Sequence, residues 1–299
     1  MRVSTCLLPI YPRHQAREAW RRAEDLGFFA AYTYDHLSWR EPFRAGPWYD
    51  GLLTLAQAAE VTSRVRLGTL VTSPNFRHPV TLASEAVTLD DVASGRLFLG
   101  IGAGTDGADA SVLGQAPLTA PRRQDRFEEF VDHLDALLRT PESTLEGEWF
   151  TARDAVTRPG PITVPRVPFG IAGIGRRGLA LAARQGQAWI TTGDPRTFDP
   201  DGGCHTAADS RAGIATQVGR LEEACHAVGR DPASIDRILL TGFVPEQFDS
   251  AAAVEDMVAA HTELGITEVV IHAPIPGTVF DLEQGVYEAA GALAARLEG

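Results

Sequence analysis

Residues 65–104, VRLGTLVTSPNFRHPVTLASEAVTLDDVASGRLFLGIGAG, decide the fold. Val65–Val71 is an apolar run of strand length that ends in polar Thr72, Ser73, Pro74 and Asn75. Pro79–Ala93 follows with helical character, and Ser94-Gly95 stops it. Arg96–Ile101 is a second apolar run and passes through Gly100 and Gly102 to Gly104. Two parallel strands joined by a helical crossover bring both polar strand ends to one edge of a sheet. That edge is where folds of this kind bind ligands.

The same alternation extends in both directions. Strands are expected at Val3–Leu8, Phe28–Tyr34, Val167–Ala172, Ala188–Thr192, Arg237–Val244 and Glu268–His272. Helices are expected at Gln15–Leu26, Tyr49–Thr62, Pro121–Leu138, Arg176–Gln185, Arg211–Val228, Ala251–Leu264 and Asp281–Leu297. Eight strands alternating with helices predict an α/β fold, a (β/α)8 TIM barrel with extended loops at its C-terminal face. No linker divides the chain, so residues 1–299 read as a single domain. Three stretches lack a period. Thr105–Ala120 is a loop of small and polar residues, and Glu146–Pro165 is read as an excursion across the barrel. Gly193–Ser210 is read as an active-site loop. Glu128-Glu129 reads as a solvated helix face.

Composition narrows the chemistry. All 27 basic residues are arginine, so Schiff-base and lysine-base mechanisms are excluded. The net charge of −12 disfavours nucleic acid as a partner. Cys6, Cys204 and Cys225 are odd in number and form no CxxC pair, which fits a reduced, cytoplasmic protein. The apolar N-terminal run is too short for a bilayer span, so no membrane partner is expected. No His/Cys/Asp cluster has metal-ligand spacing, and no GxSxG elbow is present.

LGTLVTSPNFRHP followed by TLDDVASGRLFLGIGAG resembles the luciferase-like monooxygenase superfamily. The resemblance is strong over Arg2–Gly104, returns at Pro159–Trp189 and weakens after Asp194. It implies a TIM barrel that binds FMN or the deazaflavin coenzyme F420. It also implies a homodimer formed through helices beside strands two to four, and a separate cofactor reductase as a second partner.

Four places carry the candidate chemistry. Asp35-His36 follows the second strand, where a barrel places catalytic groups. A histidine exchanges protons near neutral pH, and a neighbouring carboxylate biases its tautomer. The resemblance sets His36 against the redox ring; a structural cap is the alternative role for Asp35. At the end of the third strand, the resemblance implies a non-proline cis peptide between Leu70 and Val71, a bulge supporting the ring. It places Ser73 at the ring's pyrimidine edge. Gly102-Ala103-Gly104-Thr105 reads as a close backbone approach to a ligand. Sugar-phosphate-oxidising relatives carry a glutamate where this chain has Thr105, which argues against that reaction. Ala172-Gly173-Ile174-Gly175-Arg176-Arg177 opens a helix whose free N–H groups and two arginines suit a cofactor phosphate.

Trp39, Phe43, Trp48 and Phe76 are candidates for an apolar substrate wall, and His272 ends the last strand. Arg77-His78-Pro79 matches a family pattern and reads as helix-start packing. The leading expectation is a coenzyme F420-dependent oxidoreductase that transfers hydride between the deazaflavin and a small organic substrate. The Asp-His pair, the short chain and the arginine-only composition tilt towards it. The alternatives are a monooxygenase using reduced FMN and O2, and a non-catalytic flavin-binding paralogue.

Overall fold

The computed structural model describes residues 1–37, 39, 41–198 and 206–298. Its strands are β1 (Arg2–Cys6), β2 (Ala30–Thr33), β3 (Arg66–Thr72), β4 (Leu97–Gly102), β5 (Glu142–Glu146), β6 (Thr151–Val156), β7 (Phe169–Ala172), β8 (Ala188–Thr191), β9 (Asp236–Leu240) and β10 (Glu268–His272). Its helices are α1 (Arg13–Asp25), α2 (Gly51–Ala59), α3 (Pro79–Val92), α4 (Ala120–Arg139), α5 (Arg176–Gln185), α6 (Ala207–Ala227), α7 (Ala251–Glu263) and α8 (Gln284–Glu298). Eight strands close into a barrel in the order β1-β10-β9-β8-β7-β4-β3-β2, and β5 and β6 form a separate pair. The expected TIM barrel is therefore the fold. Every barrel strand lies within a few residues of its expected place.

The chain falls into two compact units. One comprises Leu8–Arg21 and Thr33–Ala172. Here β3 pairs with β4 from Leu67↔Leu97, with a register shift between Thr69 and Thr72, and β4 pairs with β7 as far as Gly102↔Ala172. All six residues of β4 are buried, as expected of a parallel strand covered on both faces. Pro79 at the first turn and the His78 side chain on Val80 N–H start α3. Ser94 (φ 53°) and Gly95 (φ 77°) turn the chain out of the helix in the left-handed region. Helix α4 packs on α3 and buries Phe127, Phe130, Val131 and Leu134 completely. Each such side chain contributes about 2 kcal/mol of transfer free energy.

The excursion expected at Glu146–Pro165 contains, in its first part, one strand of an antiparallel hairpin, β5–β6. Glu129 is its clamp rather than part of a solvated face. Its carboxylate accepts the backbone N–H groups of Glu148 (2.9 Å), Trp149 (2.9 Å) and Phe150 (2.7 Å). A Cβ at Gly147 would overlap that carboxylate.

The other unit comprises Met1–Leu7, Arg22–Tyr32 and Gly173–Gly299. Strands β8, β9, β10 and β1 pair in parallel, with Cys6 opposite His272. Between the strands, Glu268 is fully buried and accepts hydrogen bonds from Ser4 Oγ (2.7 Å) and Tyr32 Oη (2.8 Å). Of the stretch Gly193–Ser210, Pro195–Phe198 forms a 3-10 turn and α6 begins at Ala207. Residues 199–205, with Cys204, lie outside the described residues. Cys6 and Cys225 are buried free thiols, and burial pushes the Cys6 thiol well up. Among the described residues no helix is long and apolar enough to cross a membrane.

Candidate active site

Strand β2 ends at Thr33, and Tyr34, Asp35 and His36 follow it. Asp35 is 1% exposed, and Arg77 grips both its oxygens, Nε on Oδ2 at 3.0 Å and Nη2 on Oδ1 at 2.6 Å. Arg77 also donates to Asp50 Oδ2 (2.9 Å) and lies 3.7 Å from Glu85. Asp50 in turn caps α2 through Leu53 N–H. Burial opposes the Arg77 charge, but the hydrogen bond and charge of Asp35, then Asp50 and Glu85, outweigh it. The guanidinium therefore holds its proton more tightly than usual.

The carboxylate that reaches His36 is a different one. His36 Nδ1 lies 2.5 Å from Asp109 Oδ2, and Asp109 Oδ1 accepts Leu37 N–H at 2.9 Å. Asp109 is 5% exposed and sits in a 3-10 turn, Ala108–Ala110. Trp48 Nε1 donates to the His36 carbonyl at 2.8 Å. The Trp39 ring lies against the imidazole, centroids 4.3 Å apart, and stacks on Trp48 at 6.1 Å. Phe43 is buried beside Trp48, and Phe76 lies under the Arg77 guanidinium.

The Leu70–Val71 peptide is cis. Strand β3 shifts register there, and a Cβ at Gly102 would meet Val71 Cγ2 at 2.8 Å. Gly104 (φ 72°) is likewise crowded by protein: a Cβ there would lie 2.6 Å from Asn75 Nδ2. These two glycines make room for Val71 and Asn75, a different reason from the close ligand approach read from sequence. Ser73 is buried, and its Oγ accepts Asn75 N–H at 3.4 Å. Asn75 donates to Thr105 O at 3.0 Å and receives a hydrogen bond from Arg126 on Oδ1. Arg126 is 7% exposed and pairs with no carboxylate among the described residues; its Nε has no hydrogen-bond partner there. Burial, then the charge of Arg123, makes its proton easier to lose than usual.

In the other unit, Gly173 meets Gly178 closely enough that a Cβ on either would lie 3.1–3.2 Å from the other's Cα. Trp189 Nε1 donates to Gly173 O at 2.7 Å. Helix α5 starts at Arg176 with Gly175 as its cap, and no side chain takes the first N–H groups. Ile174, Gly175, Arg176 and Arg177 are exposed there, and Ala172 ends β7. His272 is buried, stacks on Phe280 at 3.8 Å and bonds Thr241 O through Nδ1 at 2.8 Å. Burial pushes it down to about 3, the Thr241 carbonyl opposing weakly, so the ring is neutral.

The structure brings His36, Trp39, Phe43 and Trp48 together with Asp109, and separately joins Asn75 to Arg126. The sequence reading singled out neither Asp109 nor Arg126. Asp109 lies in a loop without periodicity, and Arg126 looks like one more charge on an amphipathic helix. No sequence signal separates either from a surface residue.

Residues 7–274 match the family described as luciferase-like monooxygenase. The chain belongs to that family. An F420-dependent glucose-6-phosphate dehydrogenase of Beutenbergia cavernae is 36% identical over 177 residues, 57% of this chain and 50% of that protein. A 4-hydroxyprotoasukamycin monooxygenase of Streptomyces nodosus subsp. asukaensis is 33% identical over 196 residues, 63% of this chain and 52% of that protein. The luciferase-like chain thus spans about half the length of these curated relatives. Its fold matches that of an F420-dependent secondary alcohol dehydrogenase solved with an F420-acetone adduct, with a TM-score of 0.76 and 20% identity over 97% of this chain and 99% of that one.

Proposed function

We propose that residues 1–299 form one catalytic domain, a coenzyme F420-dependent oxidoreductase acting on a small organic alcohol or carbonyl compound. The observation that carries this reading is the imidazole of His36 beside Trp39 and Trp48. Its Nδ1 is engaged by Asp109, and its Nε2 has no hydrogen-bond partner among the described residues. A fixed imidazole in an apolar wall suits the proton half of a hydride-plus-proton reaction.

The residues present fit an anionic, tricyclic cofactor. The uncapped start of α5, with Gly173, Ile174, Gly175, Arg176 and Arg177, offers N–H groups and cations for a phosphate. Arg126 is a buried cation whose hydrogen-bond partner is a neutral amide, and an anion beside it would offset the cost of burying its charge. Ser73, Gly102, Ala103, Gly104 and Thr105 follow β3 and β4, where the ring would lie beside the Leu70–Val71 bulge. When bound, the cofactor supplies the hydride acceptor or donor. The chain's own residues hold it, wall off water and move a proton at His36 Nε2. Trp39, Phe43 and Phe76 favour an apolar substrate.

The F420-named relative supports the deazaflavin, and the monooxygenase relative keeps reduced FMN with O2 as the second reading. Coenzyme F420 and FMN are titrated separately, and their binding is followed by fluorescence. F420-coupled oxidation of secondary alcohols is then assayed beside O2 consumption with reduced FMN. Tight F420 binding with alcohol-dependent reduction is expected. Binding of FMN alone, with O2 uptake, overturns the first reading for the second.

A further inference from the structure

We infer that Asp109 is the positioning carboxylate of His36, the role that adjacency in sequence gives to Asp35. The inference rests on the reading of His36 as the group that exchanges a proton with substrate. Asp35 spends its two oxygens on Arg77, and the carboxylate that meets the ring is Asp109. Asp109 comes from 73 residues further along and is almost fully buried. One of its oxygens meets Nδ1, and the other fixes the backbone at Leu37. An ionised carboxylate only accepts, so Nδ1 carries the hydrogen and the lone pair of the neutral ring is on Nε2. Trp48 on the His36 carbonyl and Trp39 against the ring hold that orientation.

The chemistry follows from the tautomer. Oxidation of a secondary alcohol to a ketone removes one hydride from carbon and one proton from the hydroxyl. The coenzyme, when bound, would supply the hydride acceptor, and His36 Nε2 would take the proton. The imidazolium so formed lies beside the Asp109 charge, which stabilises it. Carbonyl reduction runs the same transfers backwards. Asp109 sits in the Ala108–Ala110 turn of the loop after β4.

The first test needs neither cofactor nor turnover. Protein labelled with 15N-histidine is read by ring 15N shifts, with the His36 signals identified by their loss in His36→Gln. Wild type is expected to show His36 protonated on Nδ1. In Asp109→Asn the amide can turn its NH2 towards Nδ1, and the proton moves to Nε2. The second test is a double-mutant cycle. Asp109→Asn should lower kcat by about 10²–10⁴-fold with coenzyme affinity within twofold, and cost nothing further in a His36→Gln background. A wild-type ring protonated on Nε2, or equal losses in both backgrounds, overturns the inference. If neither coenzyme supports turnover, the functional reading fails, and the ring shifts alone decide the role of Asp109.

Discussion

Arg77 closes both carboxylate oxygens of Asp35, at 2.6 and 3.0 Å, where the chain leaves β2. The pair is nearly dry, with side-chain exposures of 11% and 1%. Removing one partner of such a pair leaves a charge buried without compensation, which costs about 3–5 kcal/mol. Arg77→Met is therefore expected to lower unfolding free energy by that amount in urea denaturation. Asp35→Asn in the same chain should return part of the loss, because the stranded charge is then gone. A change below about 1 kcal/mol in Arg77→Met would mean that water reaches Asp35 after all.

Gly104 and Gly114 have nearly the same backbone, φ 72° and 79°, and different surroundings. A Cβ at Gly114 meets nothing within 4 Å, whereas one at Gly104 runs into the Asn75 amide. Gly114→Ala should cost only the left-handed backbone term, about 1–2 kcal/mol. Gly104→Ala adds overpacking of a further 1–3 kcal/mol and pushes Asn75 off Thr105 and Arg126. Thermal unfolding of the two variants side by side separates the terms; equal shifts would show that Asn75 yields freely.

The barrel was readable because its signal is local and repeated. Residues 65–104 already contain a strand, a crossover helix and a second strand, and the same apolar periods recur along the chain. Of the candidate site, the sequence exposes the cluster that shares the loop after β2, His36, Trp39, Phe43 and Trp48. The partner of His36 was not readable, because a hydrogen bond spanning 73 residues leaves no trace in spacing. The same holds for Arg77, which reads as helix-start packing until the fold delivers Asp35 to it. Gly102 and Gly104 were found but explained differently, since sequence shows that a side chain is missing and not what fills its place. The hairpin β5–β6 was hidden for a related reason: its clamp is Glu129 on α4, outside the segment itself.

His272 sets a direction for stability against pH. Its folded pKa is depressed from 6.5 to about 3 by burial. Between those values the unfolded chain binds a proton that the native ring refuses, so stability falls as pH falls from about 6.5 towards 3. The slope from this one residue is about 1.4 kcal/mol per pH unit. His261 and His78 are also depressed, burial being the main cause of each, and add in the same direction. His272→Gln should flatten the stability profile between about pH 6 and 4 relative to wild type. An unchanged slope would show that the native ring accepts its proton in place.

Arg126 separates a stability role from a binding role. Its guanidinium is buried, bonded to the neutral Asn75 amide and opposed by Arg123, so burial and that neighbour both work against its charge. Replacing a poorly paired buried ion with an apolar side chain of similar volume is often neutral or stabilising by about 1–4 kcal/mol. Arg126→Met is therefore expected to unfold at the same temperature as wild type or higher without ligand. If the residue serves an anionic cofactor, wild type gains from inorganic phosphate or sulfate, by about 1.4 kcal/mol at tenfold excess over Kd, and the variant does not. Coenzyme affinity should fall at least tenfold in the variant. A variant that is less stable and keeps the wild-type response to phosphate would make Arg126 a structural strut for Asn75, leaving the start of α5 as the proposed anion site.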